Sequence, residues 1–164
     1  MSEQATPTFD TAKYRQVLGH FPTGVTVVAS VHEGEPIGLA VGSFASLSLD
    51  PPQVLFCPSK LSGTWPRMEQ VGAFCVNILA EDQEDVCRVF ASSGADKFAE
   101  IGWKRSGNGS PILEGVLAYI DCTVHQVVES GDHYVVIGAV HDLEVRHEGG
   151  PLVFFRGGYG RYSL

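Results

Sequence analysis

Val116–Val145 reads VLAYIDCTVHQVVESGDHYVVIGAVHDLEV. Its first arm, Val116–Val128, is rich in β-branched and aromatic residues and is apolar on both faces. A strand buried on both sides in the middle of a barrel has that pattern. Ser130-Gly131-Asp132 supplies turn chemistry, and His133–Val145 is a second long strand. Two long strands joined by so short a turn must run antiparallel.

The rest of the chain extends this pattern. Gly24–His32 (GVTVVASVH) is dense in β-branched residues and turns at Glu33-Gly34-Glu35 into Pro36–Val41, a hairpin. Gln53–Cys57 is a short apolar strand between Pro51-Pro52 and Pro58. Ala73–Leu79 (AFCVNIL) is another, and Pro151–Phe155 is the last, followed by Gly157-Gly158-Tyr159. Six or seven strands with tight connections imply an antiparallel sheet, and closure would remove its edges. The expected fold class is mainly β, a single antiparallel β-barrel with a few short helices.

Three helical stretches are expected. Asp10-Thr11 offers a cap, Tyr14, Val17, Leu18 and Phe21 repeat as one apolar stripe, and Gly19 is a stop. Leu61–Glu69 suits one or two turns. Glu81–Ala91 reads as a helix with Val86, Val89 and Phe90 inward and Glu81, Asp82 and Glu84 in its first turn, where the dipole favours anions. Residues 94–110 read mostly as loop. Residues 1–9 read as a flexible tail ahead of one domain over 10–164.

Composition narrows the function. The 164 residues carry 11 Lys plus Arg against 19 Asp plus Glu, a net charge of −8. An acidic chain with no basic cluster lacks the phosphate neutralisation that nucleic acids and anionic membranes demand. Neither partner is expected. Charged residues make up 18%, below the usual ~25%. This points to surface covered by a partner, most simply a second copy. Cys57, Cys75, Cys87 and Cys122 form no CxxC pair and sit among apolar neighbours, as reduced buried cysteines do. His20, His32, His125, His141 and His147 show no metal spacing, so no metal site is expected. The polar start has no apolar signal core, and no apolar run approaches the ~18 residues of a membrane span. The expected location is the cytoplasm.

Three stretches carry candidate chemistry. In Gly38–Asp50 (GLAVGSFASLSLD), Ser43, Ser46 and Ser48 sit among small residues. Small residues let a ligand approach free backbone N–H groups, and hydroxyls can donate to a phosphate. An irregular strand with solvent-facing serines fits the same residues. In Cys57–Trp65, Ser59, Ser62 and Thr64 supply hydroxyls and Lys60 a positive charge, the equipment for a phosphate. The P-loop spacing is absent, and a capped loop with a solvated lysine fits equally. At Ser130-Gly131-Asp132-His133, a histidine beside an aspartate is either a ligand anchor or a surface turn. No GxSxG elbow and no GxGxxG turn is present, so hydrolase chemistry and a Rossmann unit have no support.

Taken in order, Phe21-Pro22-Thr23-Gly24-Val25-Thr26-Val27-Val28, Gly38…Ser43-Phe44…Ser46-Leu47-Ser48-Leu49-Asp50-Pro51-Pro52, Asp96-Lys97-Phe98 and Gly131-Asp132-His133 resemble the flavin reductase family with the FMN-binding split barrel. These are the short-chain reductase components of two-component flavin monooxygenases. The likeness runs from about Tyr14 to Tyr159. The Val54–Val89 stretch is similar to reductases serving aromatic-ring and steroid-ring hydroxylases. The resemblance implies a Greek-key split barrel, a homodimer, FMN or FAD as the flavin, and NADH or NADPH as the electron donor. It also implies a partner monooxygenase fed by diffusion of reduced flavin. By resemblance, the backbone of Ala40, Val41, Gly42 and Ser43 meets the flavin ring. Ser46 and Ser48 support the ribityl chain and phosphate. Pro58, Ser59, Lys60 and Thr64 bind the phosphate side, Lys97 and Phe98 close over it, and His133 and Tyr159 meet the nicotinamide. Many members read Thr-Ala-Asn-Ser where this chain has Ala40-Val41-Gly42-Ser43. Two side-chain donors are therefore missing, and weaker flavin retention suits an enzyme that passes its flavin on. The implied reaction is hydride transfer between cofactors, so no catalytic acid or base is assigned. Two readings stay open beside it. One is a flavin-binding redox protein of the same barrel without turnover. The other is a pyridoxamine-phosphate oxidase relative, which would want more basic residues in its core.

Overall fold

The computed structural model describes Ala5, residues 7–94 and residues 96–163. The expected tail falls partly on residues 1–4 and 6, outside the described residues. In chain order the elements are α1 (Thr11–Leu18), β1 (Thr23–Gly24), β2 (Thr26–His32), β3 (Glu35–Val41), β4 (Ala45–Leu49), β5 (Pro52–Phe56), α2 (Trp65–Val71), β6 (Ala73–Ile78) and α3 (Glu84–Ala91). They continue as β7 (Trp103–Arg105), β8 (Pro111–Leu113), β9 (Ala118–Ser130), β10 (His133–Val145), β11 (Leu152–Phe155) and β12 (Gly158–Arg161).

Seven strands form one antiparallel sheet in the order β3-β2-β6-β9-β10-β5-β4. The middle member is β9, as its two-faced apolar pattern requires. Its hairpin with β10 pairs His133 with Ser130 at the tip and Val145 with Ala118 at the base. Gly131 takes a positive φ of 56° at the tip, where a Cβ would be strained. The two terminal strands, β3 and β4, are consecutive in sequence and separated only by Gly42, Ser43 and Phe44. So short a link spans at most about 14 Å, so the two edges meet there and the sheet curls into a barrel. A smaller sheet of β1, β11 and β12 and the β7–β8 hairpin complete the fold.

Two apolar cores lie on opposite faces of the central strands. Val27, Ala29, Cys75, Phe90, Phe98 and Leu113 share one; Val28, Phe56, Trp65, Phe74, Val76 and Cys122 share the other. Neighbouring residues of β2 and β6 thus feed different cores, which is why both strands read as unbroken apolar runs. All four cysteines are free, and only Cys57 is partly exposed. No described helix is long and apolar enough to cross a membrane.

Several expectations shift. The helix expected at Leu61–Glu69 starts at Trp65, because Ser62 Oγ accepts from the N–H groups of Thr64 and Trp65 and holds a turn first. In α3, which starts at Glu84, Cys87 and Phe90 are buried while Val89 is exposed. The supposed loop at 94–110 contains β7, and the chain after Gly157 forms β12 rather than a loose end. The largest shift is in α1. Asp10 Oδ1 caps it from 2.9 Å and Gly19 ends it, as expected, yet none of its residues is buried. Phe21 is 74% exposed and Val17 58%.

Candidate functional site

A cleft of about 830 Å³ opens beside β3, within the ~300–1,000 Å³ usual for small-molecule sites. Its floor is Glu35–Ala40. One wall is Leu61–Thr64 with Arg67, and the other is Phe90–Gly94 with Asp96, Lys97 and Phe98. Because β3 ends the strand order, every second peptide along it has no β-partner. Lys97 Nζ is 3.5 Å from the Gly38 carbonyl, which places that peptide on the free edge. By the two-residue period, Ala40 turns its N–H the same way, as does Pro36, which has none to leave unpaired. Gly38 itself is required by packing: a Cβ there would come within 2.9 Å of the Phe90 ring.

The walls carry opposite chemistry. Phe90 and Phe98 meet edge to face at 4.9 Å, and Phe98 leans on Trp103 at 6.0 Å. This makes an apolar end. Lys97 donates to the Phe90 carbonyl at 3.1 Å and so ties the Asp96–Phe98 stretch to the end of α3. Burial, then the nearby charge of Arg67, lowers the Lys97 pKa. Asp96 caps the same stretch by accepting from the Phe98 N–H at 3.2 Å.

Of the residues singled out by sequence, Ala40, Ser62, Thr64, Lys97 and Phe98 line this cleft. Val41 is buried just past its end, where its carbonyl accepts from Thr26 Oγ1 at 2.8 Å. Gly42 and Ser43 form the link to β4, and both are exposed. Ser43 Oγ accepts from the Cys57 N–H at 2.9 Å, which leaves it holding the β5 end. Ser46 and Ser48 stand on β4, paired with β5.

A second group gathers at the β9–β10 tip. The Pro58 carbonyl accepts from the Tyr134 N–H, Ser59 bridges to His133, and the Lys60 N–H donates to the Asp132 carbonyl. Lys60 Nζ pairs with Glu129 and lies 5.6 Å from the Tyr134 ring centroid. That hydrogen bond, then the Lys60 charge, lowers the Glu129 pKa. Lys60 is therefore engaged at the tip and does not line the cleft. His133 Nδ1 lies 2.7 Å from Asp132 Oδ1. This hydrogen bond, then the imidazole charge, holds the Asp132 carboxyl below its ordinary value. Tyr159 lies elsewhere: its hydroxyl is 3.3 Å from Cys87 Sγ and Arg88 sits over its ring at 4.9 Å. The Cys87 hydrogen bond and burial push its phenol up to about 12.

Sequence reasoning missed Arg67. Thr64 and Arg67 are three apart, and on a helical turn that spacing puts both on one face. The helix was expected, so the signal was present. Among the described residues, no group of three or more His, Cys, Asp or Glu is placed to hold a metal ion.

The residues present fit a flavin: a free strand edge offers amide donors to a planar ring, aromatic side chains wall it, and Arg67 and Lys97 supply positive charge for a phosphate. Comparison with known proteins agrees. Residues 18–163 match the model of the flavin reductase like domain. The chain is 55% identical over 154 residues to the flavin-dependent monooxygenase reductase subunit HsaB of Mycobacterium tuberculosis, covering 92% of this chain and 81% of that one. It superposes on nitrilotriacetate monooxygenase component B from Mycobacterium thermoresistibile with a TM-score of 0.92 and 53% identity, over 94% of this chain and 87% of the other. The NADH:FAD oxidoreductase SgcE6 of Streptomyces globisporus, solved in complex with NAD and FAD fragments, gives 0.89 at 35% identity, over 94% and 93% of the two chains. The chain belongs to the flavin reductase like family and is an oxidoreductase that reduces flavin.

Proposed function

We propose that this protein reduces diffusible FMN or FAD with NADH or NADPH and passes the reduced flavin to a separate flavin-dependent monooxygenase. It works as a homodimer, and the partner acts on aromatic or steroid-derived substrates. The observation that carries the reading is the cleft along the free edge of β3. It opens to solvent, and the edge offers peptide N–H groups where related chains carry side-chain donors. Such a site binds a ring without gripping it.

A bound flavin supplies the redox chemistry, accepting a hydride from the nicotinamide. The chain's own residues bind and orient. The Ala40 N–H, on the outer edge of β3, is placed to donate to a ring oxygen or nitrogen. Phe90 and Phe98 exclude water from one end. Holding two partners in register is worth up to ~7–11 kcal/mol in favourable cases.

The purified protein should oxidise NADH or NADPH quickly only when flavin is added. Steady-state rates with FMN and FAD crossed against NADH and NADPH test this. Stoichiometric flavin that survives extensive dialysis would instead identify a flavoprotein without diffusible turnover.

His133 gives a second test. It stands 48% exposed at the β9–β10 tip, one residue beyond the bend and bridged to Ser59. If it positions the nicotinamide, His133→Ala should lower kcat/KM for NAD(P)H roughly 2–13-fold, the worth of one neutral hydrogen bond. Flavin Kd should hold constant. Unchanged nicotinamide parameters would make His133 a surface turn residue.

A further inference from the structure

In this acidic chain most cations near a carboxylate are spoken for. Lys60 pairs with Glu129, Arg88 with Glu84, Arg146 with Glu144 and Arg161 with Glu81. Arg67 and Lys97 have no carboxylate within ion-pair reach among the described residues, and both line the β3 cleft. They are not equivalent. Lys97 is partly buried, and its ammonium is spent on the carbonyls of Phe90 and Gly38. Arg67 is exposed, and its Nε donates to the Gly63 carbonyl at 3.3 Å. That bond folds the stem back along α2 and fixes the plane of the guanidinium. Among the described residues, neither terminal nitrogen has a partner. A fixed planar fork with two free N–H edges suits a phosphate better than it suits any neutral group. Beside it, Gly63 leaves open space where a side chain would stand, and Thr64 adds a hydroxyl to the same wall. The two carboxylates of the cleft do not cancel this arrangement: Asp96 is committed to the Phe98 N–H, and Glu35, beside the β2–β3 turn, forms no ion pair with Arg67 among the described residues.

We propose that Arg67 is the residue that reads the flavin's phosphate, so that the cleft distinguishes FMN and FAD from riboflavin. This rests on the reading of the cleft as a flavin site. It also reassigns the charge expected of Lys60, which the hairpin tip holds away from the cleft.

The test is equilibrium binding of riboflavin, FMN and FAD, followed by quenching of flavin fluorescence, with the full chain, Arg67→Ala and Arg67→Lys. Arg67 is exposed, so neither variant disturbs the core. For Arg67→Ala, Kd for FMN and FAD should rise about 10- to 100-fold, the worth of a charge-assisted hydrogen bond. Kd for riboflavin should stay within about twofold. Arg67→Lys should recover part of the loss, since it restores the charge without the fork. The gap between wild type and Arg67→Ala should narrow as salt is raised. Equal weakening of all three flavins would overturn the proposal and leave Arg67 shaping the wall. Unchanged flavin Kd with a raised KM for NADH or NADPH would overturn it in favour of the nicotinamide nucleotide. A wild-type protein that binds riboflavin as tightly as FMN would overturn it too. A wild type that binds none of the three would remove the flavin-site reading itself.

Discussion

Leu18→Asp combined with Phe21→Asp should turn the proposed dimer into a monomer. An isolated eight-residue helix is marginal in water, and α1 buries none of its residues within its own chain. Its apolar stripe is instead continuous with a neighbouring exposed surface. The Arg156 N–H donates to the Gly19 carbonyl at 2.9 Å, and His20 meets Phe155 edge to face at 6.3 Å. Phe154 and Phe155 on β11 are also exposed. Phe155, which faces His20, thus joins Tyr14, Val17, Leu18 and Phe21 in one exposed apolar patch, and a contiguous patch of that kind marks an interaction surface where scattered apolar residues do not. A second copy of the chain, with the same low charge, is the occupant we propose. Burying two such side chains contributes about 1.5–3 kcal/mol each, and a buried aspartate adds a further penalty. The dimer Kd should therefore weaken by at least two to four orders of magnitude. Light scattering at micromolar concentration reads it directly. Wild type should give about twice the 17.6 kDa of the chain and the variant the single mass. A wild type at 17.6 kDa would end the dimer proposal.

This face also marks a limit of single-chain reading. The spacing of Tyr14, Val17, Leu18 and Phe21 announced an amphipathic helix correctly, but periodicity reports only that a face is apolar, not what covers it. The barrel was legible because β9 and β10 are long, continuous and joined by an unmistakable turn, and because β2 and β6 feed both cores. The short strands were not. Three residues at Trp103–Arg105 have no period to read, and they form a strand only because β8 lies opposite. Within the cleft, Lys97 and Phe98 were found through a resemblance, and Thr64 through its hydroxyl. Lys60 looked like a free cation because Glu129, 69 positions away, becomes its neighbour only when the β9–β10 hairpin folds. Arg67 went unnoticed for the converse reason: nothing local shows that it ends up without a carboxylate. Long-range pairing decides which charges stay available, and a linear sequence does not display it.

Asn77→Ala should destabilise the fold more than Arg67→Ala or His133→Ala, both of which alter exposed side chains. Asn77 is fully buried in β6, where its neighbours gave it the look of one polar interruption in an apolar strand. Its side chain fills three hydrogen-bonding roles. Nδ2 donates to the carbonyls of Val27 at 3.3 Å and Pro111 at 3.0 Å, and Oδ1 accepts from the Leu113 N–H at 2.9 Å. Those bonds fasten β8 across the sheet. Alanine would leave the Pro111 carbonyl and the Leu113 N–H unpaired away from water, each costing about 1–3 kcal/mol, while the Val27 carbonyl keeps its place in the β2–β6 ladder opposite residue 77. A net loss of about 3 kcal/mol lowers Tm by roughly 6–12 °C in a chain of this size, and the denaturant midpoint should fall with unchanged slope. Asn77→Asp keeps the acceptor but removes both donors and buries a charge, so it should be no better. Amide exchange should speed first at Leu113 and its β7 partner Trp103. Because Trp103 backs Phe98 at the apolar end of the cleft, loosening that hairpin should also weaken flavin binding, including riboflavin, which lacks a phosphate. That pattern is the opposite of the one expected for Arg67→Ala. A stability loss below about 1 kcal/mol, the low end for a single unpaired group, would mean that β8 is held by its apolar contacts and that Asn77 merely fills space.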